Sequence, residues 1–478
     1  MPLRRLVGFL LMAVVSSAVA AQDASEHDYT LRVEVVDAAP KKDKWAEVHS
    51  EHFLIAGNAG EKELRRIAVD LEELRRLFYR VFPNPKPHYA AFTTVLVFRN
   101  GKAFRPFEGH PPGRKGYVLA SRDRDYIAIN ADEKDRRRVY HEYVHTLMRD
   151  APLPLWLREG LAEYYGGFKQ ERYLVGDYRT VVVGFPIHSH ERLLRDPALL
   201  PLAQLFTIGE DSAEYDEDNR NTVFYAQSWA LVHLLHTPRA LPSFKHLLEL
   251  LVSGEPAEES FRQAFRIDPS DLDLSLRGYV RDSKSNGWAY TRTTYCMCRS
   301  GPLDWLQFNF DRLQTDVKER ELNALSEAGI RFHFGDLMLH RGDLARAEMY
   351  LESAVRLDPS LARAHASLGA LRTLQEQYDA AFEHLQRALE LDPQSPFAHF
   401  YHASLIRQSA VEMPGGLSRA RLEAMRSSLV QAVQAAPRFA AASEMLADVN
   451  RRIAADDSRP DPSPVIAANG ASADRDSD

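Results

Sequence analysis

Two histidines four positions apart, His141 and His145, are the residues of this sequence best suited to hold a metal ion. In an α-helix, residues i and i+4 lie on one face a turn apart, so both imidazoles can reach a single zinc ion. Glu142 stands beside the first histidine, where its carboxylate can take a proton from zinc-bound water without being a ligand. A catalytic zinc needs a third protein ligand, and Glu159 is the obvious candidate. The spacing predicts one Zn²⁺ per chain.

Two helices, the zinc helices, must position these groups, and we place them in residues 132–167. Asn130 or Asp132 is the predicted N-cap of the first helix, because both lie just before the periodic segment and both are favoured cap residues. Apolar residues recur at helical spacing from Tyr140 to Leu147, which predicts a buried face beside the histidines.

Strand patterns dominate the part of the chain before the zinc helices, residues 29–131. One long helix is predicted there, over residues 61–82, from apolar residues at helical spacing. An edge strand of such a sheet could bind an extended peptide as an additional strand. The predicted strands are 29–36, 48–56, a central strand 92–98, and a hairpin of 116–120 and 126–130.

After the zinc helices, the part at 188–281 is predicted to be helical, and residues 282–322 form a connector of ambiguous structure. The connector contains both cysteines, Cys296 and Cys298. A disulfide across one residue would be strained, so the alternatives are a labile or redox-active pair, two ordinary thiols or an intermolecular bridge. Helical spacing is seen in 200–206, 224–235, 241–251, 257–265 and 271–280.

From residue 323 to residue 455 the sequence repeats itself. The recurring positions are Gly335 and Gly369, Leu351 and Leu385, and Pro359 and Pro393. Their separation is the tetratricopeptide (TPR) period of about 34 residues, with two helices per repeat. A third, longer unit covers 397–437, and a capping helix is predicted for 438–453. Such an array presents a groove for a protein partner or for the substrate.

The two ends of the chain differ from the rest. Arg4 and Arg5, a short apolar run and small residues predict a secretory signal peptide at 1–21, so we expect export to the periplasm or the extracellular space. Residues 456–478 are polar and predicted to be disordered. No later segment is long and apolar enough for a transmembrane helix, and the net charge of -7 gives no indication of nucleic-acid binding.

Residues 140–165 resemble the gluzincin metallopeptidases, the group that includes thermolysin and the relatives of aminopeptidase N. In the aminopeptidase N branch the third zinc ligand lies in a Trp-Leu-x-Glu-Gly string, and residues 156–160 read Trp-Leu-Arg-Glu-Gly. The resemblance therefore implies Glu159 as the third ligand, although the connection between His145 and Glu159 is shorter than in that branch. The Gly-x-Met-Glu-Asn string of that branch, which binds the substrate amino terminus, is absent. The resemblance thus implies a peptidase but not specifically an aminopeptidase, and it leaves exo- or endopeptidase action open.

The resemblance implies two further roles. In the thermolysin branch an acidic residue at the position of Glu163 orients a zinc-bound histidine; the alternative here is a solvated helix carboxylate. In aminopeptidase N relatives a Tyr-x-Lys-Gly helix start provides a tyrosine that stabilises the oxyanion, and residues 225–228 read Tyr-Ala-Gln-Ser. Tyr225 takes that role by resemblance, with a buried core tyrosine as the alternative.

Other charged or metal-binding residue types have simpler interpretations. His188 and His190 suggest a second metal, but we interpret them as surface histidines. The basic run 136–138 is interpreted as a solvated helix face.

We therefore expect an α+β gluzincin-like catalytic domain in residues 22–281, with a small mixed sheet, the zinc helices and a helical part, followed by an all-α TPR solenoid. The expected function is that of an exported zinc metallopeptidase, whose substrate is a peptide or protein and whose repeats bind a protein partner or the substrate. The alternatives are a catalytically silent adaptor that scaffolds an envelope complex through its repeats, and a zinc hydrolase that cleaves another bond.

Overall fold

The computed structural model describes residues 44–83, 93–109, 115–172, 179–194, 199–216, 219–286, 321–411 and 416–457. The predicted signal peptide, the strand predicted at 29–36, Cys296, Cys298 and the tail beyond residue 457 lie outside the described residues.

A six-stranded mixed sheet forms the centre of the first half of the molecule. The strands of the chain are β1 Ala46–His49, β2 Phe53–Gly57, β3 Thr93–Phe98, β4 Gly116–Leu119, β5 Asp125–Asn130, β6 Lys169–Arg172, β7 Arg179–Val182 and β8 Asn323–Ala324. The sheet order is β4-β5-β3-β2-β1-β8, while β6 and β7 form a separate two-stranded ribbon. Strand β3 pairs in parallel with β2 and β5, and the other pairings are antiparallel.

The sheet confirms the predicted central strand and the predicted hairpin of β4 and β5. The single strand predicted at 48–56 is wrong: the segment is the β1–β2 hairpin, which turns at Ser50, whose backbone N–H donates to the carbonyl of Phe53 at 2.8 Å. The polar residues from His49 to His52 include the turn, whereas the sequence pattern was interpreted as one continuous strand across them. The β8 residues, assigned from sequence to the repeat region, pair with β1 at one edge of the sheet.

Both faces of the sheet are covered, which explains why β3 is buried along its whole length. Val95 and Val97 belong to the core formed with the first long helix and the zinc helices. On the opposite face, Phe98 stacks with Phe107 at a ring-centroid distance of 5.0 Å and with Phe334 of the repeat region at 6.2 Å. The sheet therefore lies between the zinc helices and the repeats.

The helices of the first half begin with α1 Glu61–Val81, which matches the predicted helix. The prediction for the N-cap of the first zinc helix is wrong: the helix begins at Arg137, while the Asn130 side chain accepts from the backbone N–H of Asp132 in a preceding turn. The others are α2 Gly101–Phe104, α3 Arg137–Leu147, α4 Leu155–Gly166, α5 His188–Leu193, α6 Leu202–Leu205, α7 Val223–Leu235, α8 Leu241–Val252, α9 Ala257–Phe265 and α10 Pro269–Asn286.

The second half consists of antiparallel helix pairs. They are α11 Glu327–His340, α12 Leu344–Leu357, α13 Ala362–Leu374, α14 Tyr378–Leu391, α15 Pro396–Ser409 and α16 Arg419–Ala435, followed by α17 Ala440–Asp457. A Cβ atom at Gly369 would lie 2.4 Å from Cγ of Leu385, and one at Gly335 would lie 2.6 Å from Cγ of Leu351. The recurring glycine and leucine are thus the close contact within the first two pairs. None of the described helices could span a membrane.

The turn between β4 and β5, residues 120–124, lies against the first helices of the repeats. Its Asp123 accepts hydrogen bonds from His340 at 3.1 Å and from the Tyr401 hydroxyl. Its Arg124 pairs with Asp336 and lies over the ring of Phe397, 3.8 Å from the ring centroid. The side chains of the repeats in these contacts belong to α11 and α15. The β4–β5 turn therefore occupies the surface of the repeats that a protein partner would otherwise contact.

Candidate metal centre

Helix α4 packs closely against its neighbours, and two of its residues at these contacts are glycines. A Cβ atom at Gly166 would lie 3.1 Å from Cβ of His141, and one at Gly160 would lie 2.6 Å from the carbonyl oxygen of Ser228 in α7. The distance at Gly160 is too short for any side chain, and the distance at Gly166 is shorter than most Cβ contacts, so these glycines let α4 approach α7 on one side and α3 on the other. The approach brings Glu159 to the histidines of α3.

The three predicted zinc ligands converge. Nε2 of His141 lies 3.0 Å from Nε2 of His145, and Oε2 of Glu159 lies 3.4 Å from the first and 3.5 Å from the second. Four-coordinate zinc with bonds of about 2.1 Å holds its ligand atoms about 3.4 Å apart. The separations therefore fit a single zinc ion. Among the described residues, this is the group of three histidine or carboxylate side chains that could hold a metal.

The ligands lie at the boundary between the core and solvent. His141 is 1% exposed and Glu159 is 3% exposed, whereas the His145 side chain is 24% exposed. Burial opposes ionisation of Glu159, but the two imidazoles hold its pKa well below the ordinary value. Glu159 is therefore a carboxylate at neutral pH, as a zinc ligand must be.

Glu163 lies behind the first histidine. Its Oε1 is 3.1 Å from Nδ1 of His141, and it is 4% exposed, so the alternative of a solvated helix carboxylate is wrong. Burial raises the pKa of Glu163, but the charge and hydrogen bond of His141 outweigh burial and lower it. Because Nδ1 of His141 faces this carboxylate, the Nε2 lone pair is left to face His145 and Glu159.

Glu142 stands at the wall of a cavity of about 580 Å³ that the ligands also line. It pairs with the guanidinium of Arg220, a residue of the segment before α7 that the sequence did not single out. Burial raises the pKa of Glu142, but the charges of His141 and Arg220 keep it below the ordinary value. The carboxylate is therefore ionised and able to accept a proton.

Tyr225 lies in the first turn of α7 and lines the same cavity. Its ring stacks on that of Tyr215, with 5.9 Å between the centroids. Burial and the nearby Glu159 charge raise the pKa of Tyr225. A phenol that keeps its proton can donate a hydrogen bond where negative charge develops, and the side chain is also fully buried, as expected for a core tyrosine.

The edge strand β4 and the turn after it complete the cavity, since Val118 of the strand and Ala120 of the turn line it. The outer rim contains ion pairs between Arg158 and Glu210 at 2.6 Å and, near β4, between Arg149 and Asp125 at 2.7 Å. The cavity thus has the metal-binding groups at one wall and an open strand edge at another.

Two sequence interpretations are wrong in this region. His190 is not a surface residue: it is 2% exposed, and its Nε2 lies 3.4 Å from Oε2 of Glu163, whereas the His188 side chain is 81% exposed. Arg136 is not part of a solvated helix face, because it is 5% exposed and pairs with Glu63. Both side chains find carboxylate partners on elements distant in sequence, which spacing along one helix does not reveal.

Comparison with known proteins finds similarity to tetratricopeptide repeats. The model of the tetratricopeptide repeat family matches residues 362–395, which correspond to α13, α14 and the turn that follows. A tetratricopeptide repeat-containing protein of Caenorhabditis elegans, trd-1, is 44% identical over 61 residues, which are 12% of this chain. The chain covers 8% of the length of that relative. Residues 362–395 are therefore a tetratricopeptide repeat.

Proposed function

We propose that this protein is an exported zinc metallopeptidase of the gluzincin type. The observation that carries the proposal is the convergence of His141, His145 and Glu159 to ligand-atom separations of 3.0 to 3.5 Å, with an ionised Glu142 on the same cavity. A zinc ion held by these groups would supply Lewis-acid chemistry, polarising a substrate carbonyl and lowering the pKa of water.

The side chains around the ligands have separate roles in this proposal. Glu142 accepts a proton from the attacking water and delivers it to the amine that leaves. Tyr225 donates its hydroxyl hydrogen to the carbonyl oxygen as negative charge develops there. Both residues line the cavity, and Glu142 is ionised while Tyr225 is protonated at neutral pH, as these roles require.

The cavity also supports a peptide as the substrate. Strand β4 is at the edge of the sheet, and its Val118 lines the cavity, so an extended peptide can pair with the strand and place a carbonyl near the ligands. The tetratricopeptide repeat supports a role in protein–protein interaction. A protein partner that binds the first helices of the repeats would compete with the β4–β5 turn for Tyr401 and Asp336.

Glu142→Gln is the decisive test. The variant should hydrolyse a mixed peptide library at least about 10³-fold more slowly than the natural chain, because the amide cannot accept the proton. Its zinc content, measured by atomic absorption, should stay near one per chain because Glu142 is not a ligand. Glu210→Gln is the matched control, since it removes a carboxylate from the outer cavity and should leave turnover within a few-fold.

An active Glu142→Gln variant would rule out this mechanism. Zinc bound by the natural chain with no cleavage of any peptide would favour the silent adaptor.

A further inference from the structure

His190 is a buried imidazole near the candidate metal centre. It lies on α5 beside the ring of Trp229, with 6.1 Å between the ring centroids. Neither ring nitrogen of His190 makes a hydrogen bond that meets the geometric criteria among the described residues, and the Nε2 atom lies 3.4 Å from Oε2 of Glu163. Leaving a buried polar group without a partner is energetically costly. The carboxylate of Glu163 is therefore the group that accounts for a histidine at this position.

The two oxygens of Glu163 face two different imidazoles. Oε1 lies 3.1 Å from Nδ1 of His141, and Oε2 lies 3.4 Å from Nε2 of His190. A carboxylate held at one oxygen only can rotate about its terminal bond, since such torsions are broad. A donor at the second oxygen fixes the carboxylate plane and, through it, the ring of His141.

His190 does not belong to the ligand group itself. The ligand atoms of His141, His145 and Glu159 lie within 4.8 Å of one another, and His190 is not among them. Its contact is with Glu163, which separates it from the ligand. Its effect on a metal ion would therefore pass through the Glu163 carboxylate.

We propose that His190 is a positioning residue of the metal centre: its Nε2–H donates to Glu163, which holds His141 in the orientation and tautomer that expose the Nε2 lone pair. This inference rests on the proposed zinc site. Groups that orient a metal ligand from behind typically change metal affinity by about 10- to 100-fold when they are removed. The proposal extends the chain of contacts by one residue, from His141 through Glu163 to α5.

The test measures zinc affinity with zinc alone, by competition with a chromogenic chelator, so that it does not depend on hydrolysis. His190→Met removes the donor at similar length and should weaken zinc binding by about 10-fold or more. His190→Gln keeps a side-chain N–H and should restore affinity to within about three-fold. His188→Gln is the matched control, because that histidine is exposed on the same helix, and it should change nothing.

A double-mutant cycle shows whether the effect passes through Glu163. In a Glu163→Gln background, His190→Met should cause little further loss of zinc affinity, because the carboxylate that it orients is gone. Additive losses would overturn the proposal, and so would equal zinc affinity in His190→Met and the natural chain.

Thermal unfolding of the metal-free variants separates folding from positioning. If metal-free His190→Met unfolds at a lower temperature than the natural chain, the zinc affinity of His190→Gln decides between the two explanations. A zinc affinity equal to that of the natural chain supports the proposal. A loss of zinc affinity equal to that of His190→Met overturns it. A natural chain that binds no zinc would instead contradict the proposed function.

Discussion

Two of the buried clusters of histidine and carboxylate side chains in the described part of the chain differ in how their hydrogen-bond donors and acceptors are matched. The metal centre has His141, His145 and Glu159 at the wall of a cavity. The second cluster, which we call the interface cluster, joins the β4–β5 turn to the repeats. Its members are Asp123, Arg124, Tyr126, Asp336, His340, Ser367 and Tyr401. Residue types alone do not separate these two clusters.

In the interface cluster, each carboxylate is surrounded by donors. Asp336 accepts from Arg124 and Tyr126 at one oxygen and from Ser367 at the other, at 2.6 Å. In the candidate metal centre, two imidazole nitrogens and a carboxylate oxygen face one another within 3.5 Å. With both imidazoles neutral, as metal ligands are, lone pairs outnumber protons there. A buried cluster with matched donors is complete by itself, whereas converging acceptor atoms favour a bound cation, which supports the proposed zinc site.

The largest expected effect is the loss of metal from the centre. Glu159→Gln replaces the anionic ligand by a neutral amide and should lower zinc affinity by more than about 100-fold and abolish hydrolysis. Zinc should also stabilise the natural chain and not the variant, by about 4 kcal/mol at a free zinc concentration 1,000 times the Kd. Chelator competition and zinc-dependent thermal unfolding measure both effects.

Asp336→Asn is the matched carboxylate change in the other cluster, and its zinc content should stay near one per chain. If it lost zinc as Glu159→Gln does, the distinction between the two clusters would be wrong.

The next effect is loss of stability from the interface cluster. Arg124→Met removes the guanidinium that pairs with Asp336 and leaves this carboxylate, which is 1% exposed, with two hydroxyl donors and the His340 ring at 3.9 Å. Breaking a buried ion pair in this way costs about 3 to 5 kcal/mol. The midpoint of urea unfolding should fall accordingly, while zinc affinity stays natural.

The control for this change is Arg122→Met in the same turn, since the Arg122 side chain is 66% exposed. It should shift the midpoint little. A loss below about 1 kcal/mol in Arg124→Met would mean that the cluster is not matched as the geometry indicates.

The same comparison explains what the sequence could predict. The metal centre lies within 23 residues of two adjacent helices, so helical spacing and a ligand pattern were enough to bring His141, His145, Glu159 and Glu163 to notice. The central strand β3 was also predictable, because a strand that is buried along its whole length reads as a short apolar run. Both features depend on residues that are close together in the sequence.

The interface cluster was not predictable, because tertiary packing alone brings its members together. Arg124 and Asp336 are 212 positions apart, and Asp123 and Tyr401 are 278 positions apart. The same reason applies to Arg220, which reaches Glu142 across 78 positions, and to His190, which sits on a six-residue helix with little periodicity. The predicted start of the first zinc helix at Asn130 or Asp132 was wrong for a local reason. The Asn130 side chain accepts a hydrogen bond within the turn after β5 and does not cap the helix.

A smaller effect is expected from one hydroxyl of the interface cluster. Tyr401→Phe removes a donor to Asp123 and leaves the acceptor buried with one partner fewer, which should cost about 1 to 3 kcal/mol. The measurement is again the urea midpoint, with Tyr378→Phe on the half-buried start of α14 as the control. A natural midpoint in Tyr401→Phe would show that water replaces the hydroxyl.

The smallest expected effect is a dependence of stability on pH that comes from His340. Burial lowers the pKa of His340, but the charge and hydrogen bond of Asp123 and the charge of Asp336 outweigh it and raise the pKa above the ordinary value of 6.5. A histidine whose pKa is raised on folding contributes stability that is full below pH 6.5 and is lost as the pH rises through its folded pKa. The interface cluster should therefore weaken on the alkaline side.

His340→Gln isolates this dependence, because glutamine can donate to Asp123 at every pH. At pH 6 the urea midpoint of the natural chain should be higher than that of His340→Gln. This difference should shrink as the pH rises to 9. The change in the difference should be smaller than the loss expected for Tyr401→Phe. Zinc affinity at a fixed pH should be equal in the two chains, because the metal centre does not include His340. A difference that grows towards alkaline pH would mean that His340 is neutral in the folded protein, and that the interface cluster has lone pairs in excess like the metal centre.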